Sequence, residues 1–191
     1  MELLLPRRLT APLFRGENRV VDLAVIHCAA TPNGRDFFEG EHGRANFLTP
    51  VERLDSMHRA RGFQRQRAWR SRFNPALTSI GYHYLIYLDG TVVTGRHLSE
   101  IGAHAEGWNS QSVGICMLGT DAFTPKQWDS LAYVVGKLEA AYASGPSGRL
   151  WIRGHRDLPD VHKLCPGFSV DAWLAGGRKP LAGHIQEASH D

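Results

Sequence analysis

The sequence is short of cysteine, has no long apolar run and carries little net charge, and each shortage removes a class of protein. Only Cys28, Cys116 and Cys165 occur among 191 residues. They form an odd, widely spaced set with no CxxC pair, which excludes a disulfide framework and leaves a reducing compartment or a metal role. No apolar stretch approaches the roughly 20 residues that cross a bilayer as a helix, so membrane insertion is not expected. The opening Met1-Glu-Leu-Leu-Leu-Pro-Arg-Arg reverses the basic-then-apolar order of a secretory signal, so the chain is expected to be cytoplasmic at synthesis. A formal charge of +3 favours approach to a polyanion without identifying one. Internal repeats and low-complexity tracts are missing too, which excludes solenoids and arrays.

What is present suits one globular domain: 42% hydrophobic and 21% charged residues, in a length typical of a single core. The sequence divides into an N-terminal extension over 1–20, a domain over 21–175 and a tail over 176–191, where sustained periodicity ends and little order is expected. Val21 to His27 is short, apolar and branched, as a buried strand should be, and it stops at the loop Ala29-Ala-Thr-Pro-Asn-Gly. Tyr82 to Leu88 and Thr91 to Thr94 flank Asp89-Gly90, a hairpin signal. Ser112 to Gly119 and Leu150 to Arg153 complete the strands.

Thr49-Pro50-Val51-Glu52 and Thr124-Pro125-Lys126-Gln127 each combine a capping hydroxyl, a proline at the first helical position and a reciprocal cap three residues on. The second start places Trp128, Leu131, Val135, Leu138 and Tyr142 on one stripe, and the helix should stop by Gly145-Pro146. A short last helix is expected near Ser169. Between the first strand and the hairpin lies an arginine-rich insert with Phe63, Trp69 and Phe73 interleaved. Arginines on the exposed side of a helix with the aromatics buried explain it better than a nucleic-acid face.

Three side chains able to hold a metal sit at element ends: His27 after one strand, His155 after another, and Cys165 in the loop that follows. Two imidazoles and a thiolate suit zinc, and three protein ligands with an open fourth position are the catalytic arrangement. Ten histidines offer many coincidences, so spacing alone leaves the zinc reading open.

The segments His27-Cys-Ala-Ala-Thr, Gly81-Tyr-His-Tyr, Asp89-Gly-Thr-Val, Gly102-Ala-His-Ala-Glu-Gly-Trp-Asn, Ser112-Val-Gly-Ile, Gly154-His-Arg-Asp and Lys163-Leu-Cys-Pro-Gly-Phe occur in this order. Together they resemble the type 2 N-acetylmuramoyl-L-alanine amidases, most of all the phage amidase-type lysozymes, whose fold animal peptidoglycan recognition proteins share. The resemblance spans about Val21 to Trp173. It implies an α/β domain with a central mixed β-sheet flanked by helices, and one Zn2+ per chain held by His27, His155 and Cys165. It also implies that Tyr82 and Lys163 face the scissile carbonyl and that His104 lines the substrate cleft. The implied partner is peptidoglycan, cut as muropeptides by a monomeric endolysin that meets the wall after release, with neither nucleic acid nor membrane involved. For Tyr82 the alternative is a core aromatic; Cys28 reads as a small packing residue, and the remaining histidines as ordinary surface or core positions.

One departure bears on mechanism. Some relatives carry a glutamate in the strand that reads Gly114-Ile115-Cys116 here, and a cysteine buried in an apolar strand is a poor base. The competing reading is a peptidoglycan-binding module without catalysis. Such modules typically lose the cysteine ligand, whereas Cys165 is present.

Overall fold

The computed structural model describes residues 19–143 and 148–186. Five strands form one sheet in the order β3-β2-β4-β1-β5. They are β1 (Leu23–Cys28), β2 (Tyr84–Ile86), β3 (Val92–Thr94), β4 (Ser112–Met117) and β5 (Trp151–Gly154). β1 pairs in parallel with β4 and β5, β4 in parallel with β2, and only β2 and β3 run antiparallel. The mixed sheet flanked by helices expected of this sequence is the fold observed.

Alternation along the central strands gives the sheet two faces. Ala24, Ile26, Val113, Ile115 and Met117 point to one face, where α3 (Pro125–Tyr142) and α4 (Val170–Ala175) cover them with Trp128, Leu131, Val135, Leu138 and Trp173. The α3 stripe is buried as expected. Its reciprocal cap forms as well: the Gln127 N–H donates to Thr124 Oγ1 at 3.2 Å, and Gln127 Oε1 accepts the Thr124 N–H at 3.0 Å. Gly145 and Pro146, the expected stop, lie outside the described residues.

On the opposite face α1 (Pro50–Ala60), from the arginine-rich insert, lays Leu54 against Leu85, Cys116 and Leu118. Here the structure departs from the amphipathic picture, because this inner side of the insert is also polar. Asp55 accepts the Ser79 and Ile80 N–H groups at 2.6 and 2.7 Å, and His58 Nδ1 accepts the Gly81 N–H at 3.0 Å. Arg65 is buried rather than exposed. Its guanidinium meets Glu100 at 2.8 Å and donates to the carbonyls of Phe73, Asn74 and Leu77, so a single side chain gathers the loop after α1. Of the aromatics, Trp69 in the short α2 (Arg67–Arg70) is only half-buried and stacks on His97.

The hairpin turns at Asp89-Gly90, where Gly90 has φ +83° and Asp89 accepts the Thr91 N–H at 2.9 Å. The regular ladder is shorter than the expected Tyr82 to Leu88. Tyr82 and His83 still bond to neighbouring chain, but outside the ladder. Beyond Gly176 the chain is better tied than its composition suggests. Arg178 pairs with Glu139 at 2.6 Å, and Phe123 exchanges backbone hydrogen bonds with His184 and Gln186, both 2.9 Å.

Candidate metal centre and its cleft

β1 and β5 end side by side at the same edge of the sheet, so the residues that follow each strand are brought together although their numbers differ by more than a hundred. His27, the last residue but one of β1, points to the face opposite α3. After β5 the Asp157 carboxylate accepts the Gly154 N–H at 3.0 Å and turns the chain into a single 3-10 turn that carries His155. The Arg156 N–H donates to the Cys165 carbonyl at 2.7 Å, which fastens the Cys165 loop beside that turn.

The outcome is a cluster in which one ligand atom each of His27, His155 and Cys165 lies within 4.8 Å of the others. His27 Nδ1 stands 3.7 Å from Cys165 Sγ. Bond lengths of about 2.3 Å to sulfur and about 2.0–2.1 Å to nitrogen put N and S roughly 3.6 Å apart around a tetrahedral zinc, so spacing and donor chemistry both fit that ion. Burial, then the neighbouring His104, His155 and Lys163, holds the His27 pKa well below the ordinary histidine value, and burial with Lys163 lowers His155. Both rings are therefore neutral, as ligands must be. The Cys28 backbone also touches the centre: its N–H donates to Cys165 Sγ at 3.2 Å, while its side chain packs in the core as expected.

The cluster opens on a cavity of about 920 Å³. His27, Tyr82, His104, His155, Lys163 and Cys165 all line it, so the structure brings together every site residue singled out in the sequence. Tyr82 packs its ring 5.2 Å from that of His27, and burial keeps its phenol protonated, with the pKa well above the ordinary value. Cys116, packed in the same cluster as Tyr82, has its own thiol raised well above the usual range by burial. A protonated thiol is no base, as the sequence implied for this position. Lys163 is exposed at the mouth, close enough to act on both His27 and His155. His104 is half-buried, with Nδ1 3.0 Å from His27 Nε2, and burial followed by Arg19 pushes its pKa down to about 3.

The insert supplies His58, Arg61 and Phe63 to the cavity wall; Arg61 and Phe63 belong to the arginine and aromatic run noted in the sequence, whereas His58 had no reading beyond an ordinary histidine. His58 lies 5.3 Å from the Tyr82 ring, and its pKa falls to about 4, mainly through burial and then Arg61. Helical spacing held the only signal: His58 is one turn beyond Leu54 on the buried side of α1.

The family profile described as N-acetylmuramoyl-L-alanine amidase matches residues 17–168. Among curated proteins the chain is 30% identical to an endolysin of Enterobacteria phage K11, over 80% of this chain and 84% of that one. It is 28% identical to an endolysin of Escherichia phage T7, with the same coverage. Among solved structures, the endolysin N-acetylmuramoyl-L-alanine amidase LysCS from Clostridium intestinale shares the fold at a TM-score of 0.61 and 23% identity, over 92% of this chain and 98% of that one. The match over most of the domain and the shared fold together make this chain a member of the N-acetylmuramoyl-L-alanine amidase family, a family of amidase-type hydrolases of peptidoglycan.

Proposed function

We propose that the protein is a zinc-dependent amidase that hydrolyses the bond between N-acetylmuramic acid and L-alanine, acting as an endolysin. The observation that carries this reading is the convergence of His27, His155 and Cys165 at the floor of a cavity that Tyr82 and Lys163 also line. When bound, zinc supplies Lewis acidity that makes water nucleophilic near neutral pH and polarises the amide carbonyl.

The chain's own residues account for the rest. The cavity is large enough to hold a muropeptide segment and withdraws it from bulk water, which strengthens every polar contact inside. As water adds to the carbonyl carbon, negative charge grows on the oxygen. The Tyr82 phenol and the Lys163 ammonium are donors suited to it, and one such donor is typically worth about 10²–10³ in rate. The C–N bond then breaks, leaving a lactyl carboxylate and a free L-alanine amine. The relatives named endolysins support the biological setting: synthesis in the cytoplasm and action on the wall after release.

The test is digestion of purified sacculi with and without a chelator, and with zinc restored, the products being read by mass spectrometry. Stem peptides with a free N-terminal L-alanine, lost with chelator and regained with zinc, are expected. Binding to sacculi at full zinc occupancy without any release would replace this reading with that of a binding module.

A further inference from the structure

His27 has two ring nitrogens, and only one can face Cys165. Nδ1 does so at 3.7 Å, while Nε2 meets His104 Nδ1 at 3.0 Å. Which of these nitrogens carries a proton can be worked out from the far end of the chain of contacts. The Trp108 carbonyl can only accept, so the Ser112 hydroxyl donates to it, at 2.7 Å. Ser112 Oγ is then left as an acceptor for His104 Nε2 at 3.4 Å. His104 therefore holds its proton on Nε2 and presents a bare Nδ1. Across the 3.0 Å contact, His27 must be the donor, with its proton on Nε2 and its lone pair on Nδ1.

The His104 ring has little room to do otherwise. A Cβ added at Gly102 or Gly114 would stand 2.4 or 2.6 Å from ring atoms, so both glycines are needed for the ring to lie flat on the sheet. The Asn109 side-chain oxygen accepts the His104 and Ala105 N–H groups at 2.8 and 3.0 Å and holds the backbone on the other side.

We infer that His104 is a positioning residue, which with Ser112 locks His27 in the tautomer and orientation that aim the Nδ1 lone pair at the metal position. The inference rests on the zinc reading given above, and it adds to the cavity-lining place of His104 a role that acts through His27. Partners of this kind typically change metal affinity by 10–100-fold.

Two measurements on the full chain test it. In metal-free wild-type protein, long-range proton–nitrogen correlation spectra should show His27 protonated on Nε2; a proton on Nδ1 would overturn the inference without touching the zinc reading. Zinc affinity, measured by competition with a chromophoric chelator, should weaken 10–100-fold in His104→Ala. It should be largely restored in His104→Asn, whose amide oxygen stands where Nδ1 accepts. If His104→Ala binds zinc within twofold of wild type while losing turnover, His104 is a substrate contact only. Wild-type protein that takes up no zinc would instead sink the proposed function, a failure visible before any variant is made.

Discussion

Tyr82 differs from phenylalanine by one oxygen, and that oxygen is where the proposed chemistry separates from packing. The ring fills the same space against His27 and His58 in either case, so Tyr82→Phe should retain zinc and fold while kcat on sacculi drops about 10²–10³-fold. Lys163→Ala should behave alike, since Lys163 is exposed and supports no core contact. Wild-type turnover in either variant would remove that side chain from the reaction. Cys165→Ser tests a different property. It exchanges a soft thiolate for a hydroxyl in the ligand set, so zinc measured after dialysis should fall below one per chain. Tyr82 and Lys163 were reached through the resemblance of their motifs, and Cys165 through its donor chemistry as well. His58 was not, since its helical spacing from Leu54 marks only a buried side and not the cavity it lines. Cys28 packs in the core as its reading had it, and only the contact of its backbone N–H with Cys165, remote in sequence, was out of reach.

At the scale of the element, the two capped helices show what local sequence determines and what it leaves open. Thr124 starts α3 because its hydroxyl and Gln127 satisfy amides that a helix start leaves bare, and at the start of α1 the Glu52 carboxylate accepts the Thr49 N–H and hydroxyl at 2.8 and 2.6 Å. Thr124→Ala should cost about 1 kcal/mol in urea denaturation. The inner side of α1 obeys a different logic. Asp55 is buried and accepts two backbone N–H groups from the segment that leads into Tyr82, so Asp55→Ala strands both. A loss of about 3 kcal/mol is expected in the same measurement, larger than that of the cap because unsatisfied buried donors retain their full desolvation cost. Spacing of apolar residues alone could not reveal this helix as a polar clamp. Likewise the strands were legible one by one, but their order in the sheet was not, because parallel pairing joins segments whose partners lie across long crossovers.

For the molecule as a whole, the buried histidines set how it answers acid. His58 Nδ1 accepts the Gly81 N–H and His83 Nδ1 accepts the Gly114 N–H, both at 3.0 Å, so protonating either ring in place breaks a buried hydrogen bond. Burial lowers the His58 pKa to about 4 and the His83 pKa well below the ordinary value of 6.5. Below pH 6.5 the unfolded chain therefore binds more protons than the folded one, and stability must decrease as pH falls. The His58 contribution is complete above about pH 6.5, is worth about 3 kcal/mol, and is lost progressively down to about pH 4. His83 extends the loss to lower pH. Asparagine can keep an acceptor facing the Gly81 N–H without a titrating ring, so His58→Asn should flatten the stability profile between pH 6.5 and 4 while changing it little at pH 7. If the variant and the wild type lose stability in parallel across that window, the acid response belongs to His83 and other groups, and the wall built by the insert tolerates a charged His58.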